Sequence, residues 1–132
     1  MKLELTQRFF FDAAHTLERA HDSAPSRRVH GHTYHAAVTV SAPAAADSGM
    51  VVDLALLRQG IAAVRERLDH HLLDEVPGLG RPTLENLCRF IFEGMASGLW
   101  VVERVDVERP ASGDACRLSR RGAGGSVADG PL

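Results

Sequence analysis

The chain has 132 residues, enough for one domain with one core. Its 45% hydrophobic and 24% charged residues form an ordinary globular balance, and a formal net charge of -2 gives no reason to expect a nucleic acid or an anionic membrane as partner. No apolar run reaches the roughly 18 residues of a membrane span, the N-terminus lacks a signal-peptide pattern, and Cys88 and Cys116 are too few for a disulfide framework, so a reducing, cytoplasmic setting is expected.

Leu3 to Ala14 alternates loosely, carries Phe9, Phe10 and Phe11, and reads as a first strand. The polar stretch from Glu18 to Arg28, with Pro25, reads as an exposed loop, and His32 to Ala42 as a second strand closed by a turn from Pro43 to Gly49. Asp53 is a suitable N-cap for a helix whose Leu57, Ile61, Val64 and Leu68 recur at helical spacing, with an end expected near Asp69. Pro77, Gly78, Gly80 and Pro82 then interrupt the pattern. Thr83 can cap a second helix with Leu84, Leu87, Cys88, Ile91, Met95 and Leu99 on its apolar side, closed by Gly98 and Trp100. Val101 to Glu108 and a shorter run from Ala115 to Leu118 complete the strands, and the Gly- and Ala-rich residues from Ser119 to Leu132 read as a tail. The expectation is one α+β domain over residues 1–118, in the order ββααββ with an antiparallel sheet.

The seven histidines all lie from His15 to His71. His30-Gly31-His32 puts two imidazoles on one face of an extended chain, and Gly31 between them permits close approach of a metal or a neighbouring backbone. A third ring, His15, stands at the end of the strand expected to pair with them, and three imidazoles leave an open fourth position on zinc. Tyr34 continues the inward face, whereas His35 points the other way and is excluded. The pair is equally compatible with hydrogen-bonded surface histidines.

Asp69-His70-His71 falls where the first helix ends. If the chain leaves helical geometry there, Asp69 can fix the tautomer of His70 and raise its basicity; otherwise the histidines simply complement the helix dipole. Near the end of the third strand, period two places Asp106 and Glu108 on one face and Glu103 on the other. A carboxylate such as Glu108 can contact solvent or an arginine, or accept an amine and a ring N–H side by side.

Six motifs occur in order: Phe11-Asp-Ala-Ala-His15, His30-Gly-His32-x-Tyr34, Gly49-Met-Val-Val-Asp53, Leu68-Asp-His-His-Leu-Leu, Pro82-Thr-x-Glu-Asn86 and Val105-Asp-Val-Glu108. Together they resemble the 6-pyruvoyl-tetrahydropterin synthase and 6-carboxy-tetrahydropterin synthase family, the latter an enzyme of the queuosine pathway, over roughly residues 3–118. The resemblance implies a tunnelling fold, a four-stranded antiparallel sheet with two helices on one face, assembled as a homo-oligomer (trimer or hexamer) with sites between subunits. It implies Zn2+ held by His15, His30 and His32, a proton relay by Asp69 and His70, and a pterin ring anchored by Glu108. The implied reaction is a lyase-type conversion of 7,8-dihydroneopterin triphosphate to a 6-substituted tetrahydropterin.

The sequence departs from that family at three positions. Ser26 stands where the family usually has a catalytic cysteine, and a serine hydroxyl is a far poorer base than a thiolate. Three readings follow: Glu18, His21 or Asp22 takes the proton; the enzyme cleaves a dihydroneopterin-type side chain by retro-aldol chemistry to 6-hydroxymethyl-dihydropterin; or the protein binds a pterin without efficient catalysis. Arg109 stands where a small Thr is usual, able to pair with Glu108 or to recognise a charged substrate, and Asp74 where Asn is usual.

Overall fold

Alternation in the first segment produces the strand it predicts. In the computed structural model, which describes residues 1–16, 29–43 and 50–121, β1 spans Glu4–His15 and β2 spans His30–Ser41. The two pair antiparallel along their whole length, from Glu4 opposite Ser41 to His15 opposite His30. Helix α1 (Leu54–Glu66) starts at the Asp53 cap, whose carboxylate accepts the Ala55 N–H, and α2 (Leu84–Gly94) starts at Thr83, which accepts the Asn86 N–H. Strands β3 (Val101–Arg109) and β4 (Asp114–Ser119) complete a four-stranded antiparallel sheet of order β1-β2-β3-β4.

One face of the sheet packs against the helices. Phe11, Tyr34, Val38, Val105 and Val107 meet Leu57, Val64, Leu68, Leu87, Ile91 and Met95 in a single core. Phe11 and Tyr34 stack at 4.9 Å between ring centroids, a pairing worth about 1 kcal/mol beyond area burial that locks the β1–β2 hairpin beside its histidine-bearing end. Gly94 lets the two helices approach closely, since a Cβ there would lie 2.9 Å from a Val64 methyl.

Several boundaries differ from expectation. β2 starts at His30, because its pairing with β1 extends the ladder past Gly31. α1 stops at Glu66 and α2 at Gly94, so Leu99 lies beyond the helix and is exposed, while Phe90 joins the core. Glu103 shares the outer face with Asp106, contrary to simple period two: a bulge skips it between the Arg104–Thr39 and Val102–Val40 pairs, and its carboxylate accepts from the Ser41 hydroxyl. Ser119 belongs to β4 rather than to the tail, and the Arg120 N–H still donates to the Glu103 carbonyl. The rest of the expected tail, residues 122–132, lies outside the described residues. No described helix is long and apolar enough to cross a membrane.

Candidate active site

The end of the β1–β2 hairpin gathers the three histidines. Register places His15 opposite His30 and Ala13 opposite His32, so strand alternation turns all three rings to the helix-bearing face. Their centroids lie 4.9 Å (His15–His32), 6.0 Å (His15–His30) and 6.4 Å (His30–His32) apart. His15 is 2% exposed, and both of its ring nitrogens are buried without a hydrogen-bond partner among the described residues. Burial lowers the pKa of His15, with the charges of Arg109 and His30 adding to it, while the adjacent Thr16 backbone opposes the shift without bonding geometry. Burial followed by the His15 and Arg109 charges lowers His32 likewise. His15 and His32 are thus held towards the neutral form that binds metals.

This donor set suits zinc. Three imidazoles around one tetrahedral zinc would have ring centroids roughly 5 Å apart, which the His15–His32 pair already matches. His30 is the ring that must close in, and no three His, Cys, Asp or Glu side chains among the described residues are already converged as a metal cage. A Cβ at Gly31 would meet nothing within 4 Å, so the close approach expected there is not made within one chain.

The Asp69–His70 couple forms because the chain leaves helical geometry. The Leu68 and Asp69 N–H groups both donate to the Arg65 carbonyl, and His70 then takes a φ of 60°, a left-handed conformation costing of order 1 kcal/mol for a non-glycine residue. The segment folds onto the open edge of β1: the Asp12 N–H donates to Asp69 Oδ1 at 2.9 Å, the His70 N–H to the Asp12 carbonyl, and the Ala14 N–H to the His71 carbonyl. Asp69 Oδ2 stands 2.8 Å from His70 Nδ1, and Arg65 reaches the same oxygen at 3.4 Å. The Asp12 N–H, then His70 and Arg65, hold the Asp69 carboxyl below the usual carboxylate range despite partial burial. As a carboxylate, Asp69 accepts from Nδ1–H and leaves Nε2 of the exposed His70 ring as the basic nitrogen. The helix-end role falls to His71, whose Nε2 lies 3.1 Å from the Glu66 carbonyl.

One member of each group, His32 and His70, lines an open depression of about 490 Å³ together with Asp12, Gly31, Thr33 and Leu72. Glu108 is not brought there. It lies on the outer face opposite the exposed His35, beside a second depression of about 640 Å³, and its carboxylate has no ion-pair partner among the described residues. One chain therefore presents trio and carboxylate on opposite faces. Ser26 and the loop alternatives Glu18, His21 and Asp22 lie outside the described residues. Cys88 sits in the core, its thiol pushed up to about 12 by burial and by Cys116.

Sequence reasoning missed the supports. Asp74 accepts from both the N–H and the hydroxyl of Thr16, at 2.8 and 2.6 Å, and so pins the residue after His15. Its departure from the usual Asn was the available signal. Asp12 and Arg65, which orient Asp69, gave none, because their contacts span more than fifty positions or depend on the end of α1.

Comparison with known proteins agrees with this geometry. The family profile described as 6-pyruvoyl tetrahydropterin synthase matches residues 4–120. A 6-carboxy-5,6,7,8-tetrahydropterin synthase of Synechocystis is 35% identical over 104 residues, covering 72% of this chain and 79% of that protein. The enzyme of the same name from Bacillus subtilis is 31% identical over 106 residues, covering 76% and 70%. The Caenorhabditis elegans 6-pyruvoyl tetrahydropterin synthase superposes with a TM-score of 0.74 at 24% identity, covering 91% of this chain and 96% of that one, a likeness of fold. The chain belongs to the 6-pyruvoyl tetrahydropterin synthase family and is an enzyme of the tetrahydropterin synthase type.

Proposed function

We propose that this enzyme converts 7,8-dihydroneopterin triphosphate to 6-carboxy-tetrahydropterin in a zinc-dependent reaction, within an assembly of identical subunits and in a cytoplasmic setting. The observation that carries the reading is the buried His15, without a partner among the described residues, beside His30 and His32, with His32 sharing a depression with the oriented His70, in a chain similar to enzymes of that name. Bound through His15, His30 and His32, zinc supplies Lewis acidity that makes a side-chain hydroxyl and its neighbouring C–H easier to deprotonate.

The chain's own groups do the rest. His70 Nε2 accepts and returns a proton at the substrate side chain, while Asp69 holds the ring in the tautomer that allows it and stabilises the imidazolium formed. Glu108 anchors the pterin edge by accepting an amine and a ring N–H together, which turns binding into orientation. Because Glu108 and the trio lie on opposite faces of one chain, the ring anchor and the metal ligands of one site come from different copies.

Mass spectrometry of purified zinc-loaded protein incubated with dihydroneopterin triphosphate should show 6-carboxy-tetrahydropterin. The Ser26 departure names the competing outcomes. Release of 6-hydroxymethyl-dihydropterin from dihydroneopterin or its phosphate would instead establish side-chain cleavage. Binding without turnover would make the protein a pterin binder, and S26C would then be the variant to assay for activity.

A further inference from the structure

We propose that Arg109 is a specificity-determining residue that receives an anionic, phosphate-type group of the substrate beside His15 and His32, an inference that rests on the substrate class proposed above. Arg109 ends β3 two residues beyond the buried Val107, so alternation turns it to the helix-bearing face, away from Glu108. There its charge acts on His15, His32 and Tyr34 together. Its side chain is 17% exposed, and its Nε is buried without a hydrogen-bond partner among the described residues. The Tyr34 hydroxyl lies near the guanidinium, but the two do not align as a hydrogen bond, and that hydroxyl too is buried and unpartnered among the described residues.

A guanidinium carries five N–H donors, and here the one engaged among the described residues goes to Asp114, at 2.9 Å. Asp114 is itself half-exposed and also accepts from the Ser112 hydroxyl. A strand pairing alone accounts for that contact, since Arg109 and Asp114 are register partners across the β3–β4 turn. It does not account for a buried donor left empty among the described residues, an unfavourable state unless something accepts from it. Nor does it account for a fixed cation beside ligands suited to a divalent metal. Two neighbouring positive centres repel, and an anion between them reverses the sign of the interaction. A phosphate oxygen offers the charge and lone pairs that Nε–H and a terminal N–H can take side by side.

The test titrates the zinc-loaded protein with inorganic phosphate by calorimetry. Arg109→Met should weaken phosphate binding about tenfold or more, Arg109→Lys should weaken it less, and Arg58→Met, an exposed charge on α1, should leave it unchanged. Should Arg109→Met fail to fold, Asp114→Asn decides: freeing the guanidinium from its one carboxylate should tighten phosphate binding. Phosphate binding unaltered in Arg109→Met, or not tightened in Asp114→Asn, overturns the assignment. In parallel, the wild type should prefer dihydroneopterin triphosphate to unphosphorylated dihydroneopterin in kcat/KM, and Arg109→Met should lose that preference. Turnover of no dihydropterin would defeat the reaction proposed above, while the phosphate titration would still decide Arg109.

Discussion

His32 and His35 lie three positions apart on one strand, and the parity of that number separates a candidate ligand from a bystander. His32 faces the helices with His15 and His30, whereas His35 faces outward against Phe10 and across from Glu108. The face assignment has a direct consequence. His30→Ala should lose stoichiometric zinc by elemental analysis, because two imidazoles hold the metal far less tightly than three, and His35→Ala should retain it. Equal metal content in the two variants would defeat both the ligand set and the parity argument. At this scale the sequence was informative, since alternation needs only the local conformation of β2. It marked Asp74 as a departure but not what Asp74 holds, because its contact with Thr16 depends on where a segment 58 residues later comes to rest.

The segment after α1 shows what an element can decide that a residue cannot. Asp69 and His70 could couple only if the helix stopped before them, and it does so because the His70 N–H, the His71 carbonyl and the Asp69 carboxylate find partners on the edge of β1 instead of in another helical turn. Asp69 therefore stabilises the fold as well as orienting His70. Its pKa is lowered in the folded state, so its contribution is fully present above the unfolded value near 3.9 and is lost as pH falls through the lower folded value. Asp69→Asn should cost about 1 kcal/mol at neutral pH, allowing for the partial exposure of the site. Urea unfolding should show a smaller gap at pH 3.5 than at pH 5. A gap that persists undiminished at pH 3.5 would mean that the charge of Asp69 contributes nothing. The helices and strands were legible from capping residues and apolar periodicity because both act within a turn or two of chain. The bulge at Glu103 and the early ends of both helices were not, since they answer to pairing across the sheet and to packing at Met95 and Trp100.

For the whole molecule, the question is which copies complete one site. A single chain holds its histidine trio on the helix-bearing face, Asp69–His70 at the outer edge of β1, and Glu108 on the far face of the sheet. No bending of a rigid, fully paired sheet brings Glu108 round to its own trio. The proposed symmetric assembly would solve the problem, because a heterologous contact sets one copy's edge against a neighbour's different surface and repeats until the ring closes. The arrangement is open to complementation. His30→Ala removes a proposed ligand and His70→Ala the proposed relay, and each variant alone should be inactive. Unfolding an equal mixture and reassembling it with zinc produces neighbours of both kinds. If the relay of one copy serves the trio of the next, a site works when a His70→Ala chain supplies the trio and a His30→Ala chain the relay, which random assembly provides in about one quarter of sites. Recovery of roughly that fraction of wild-type activity establishes the shared site. If trio and relay of the same chain act together, every site in the mixture lacks one or the other, and the mixture stays as inactive as its parts.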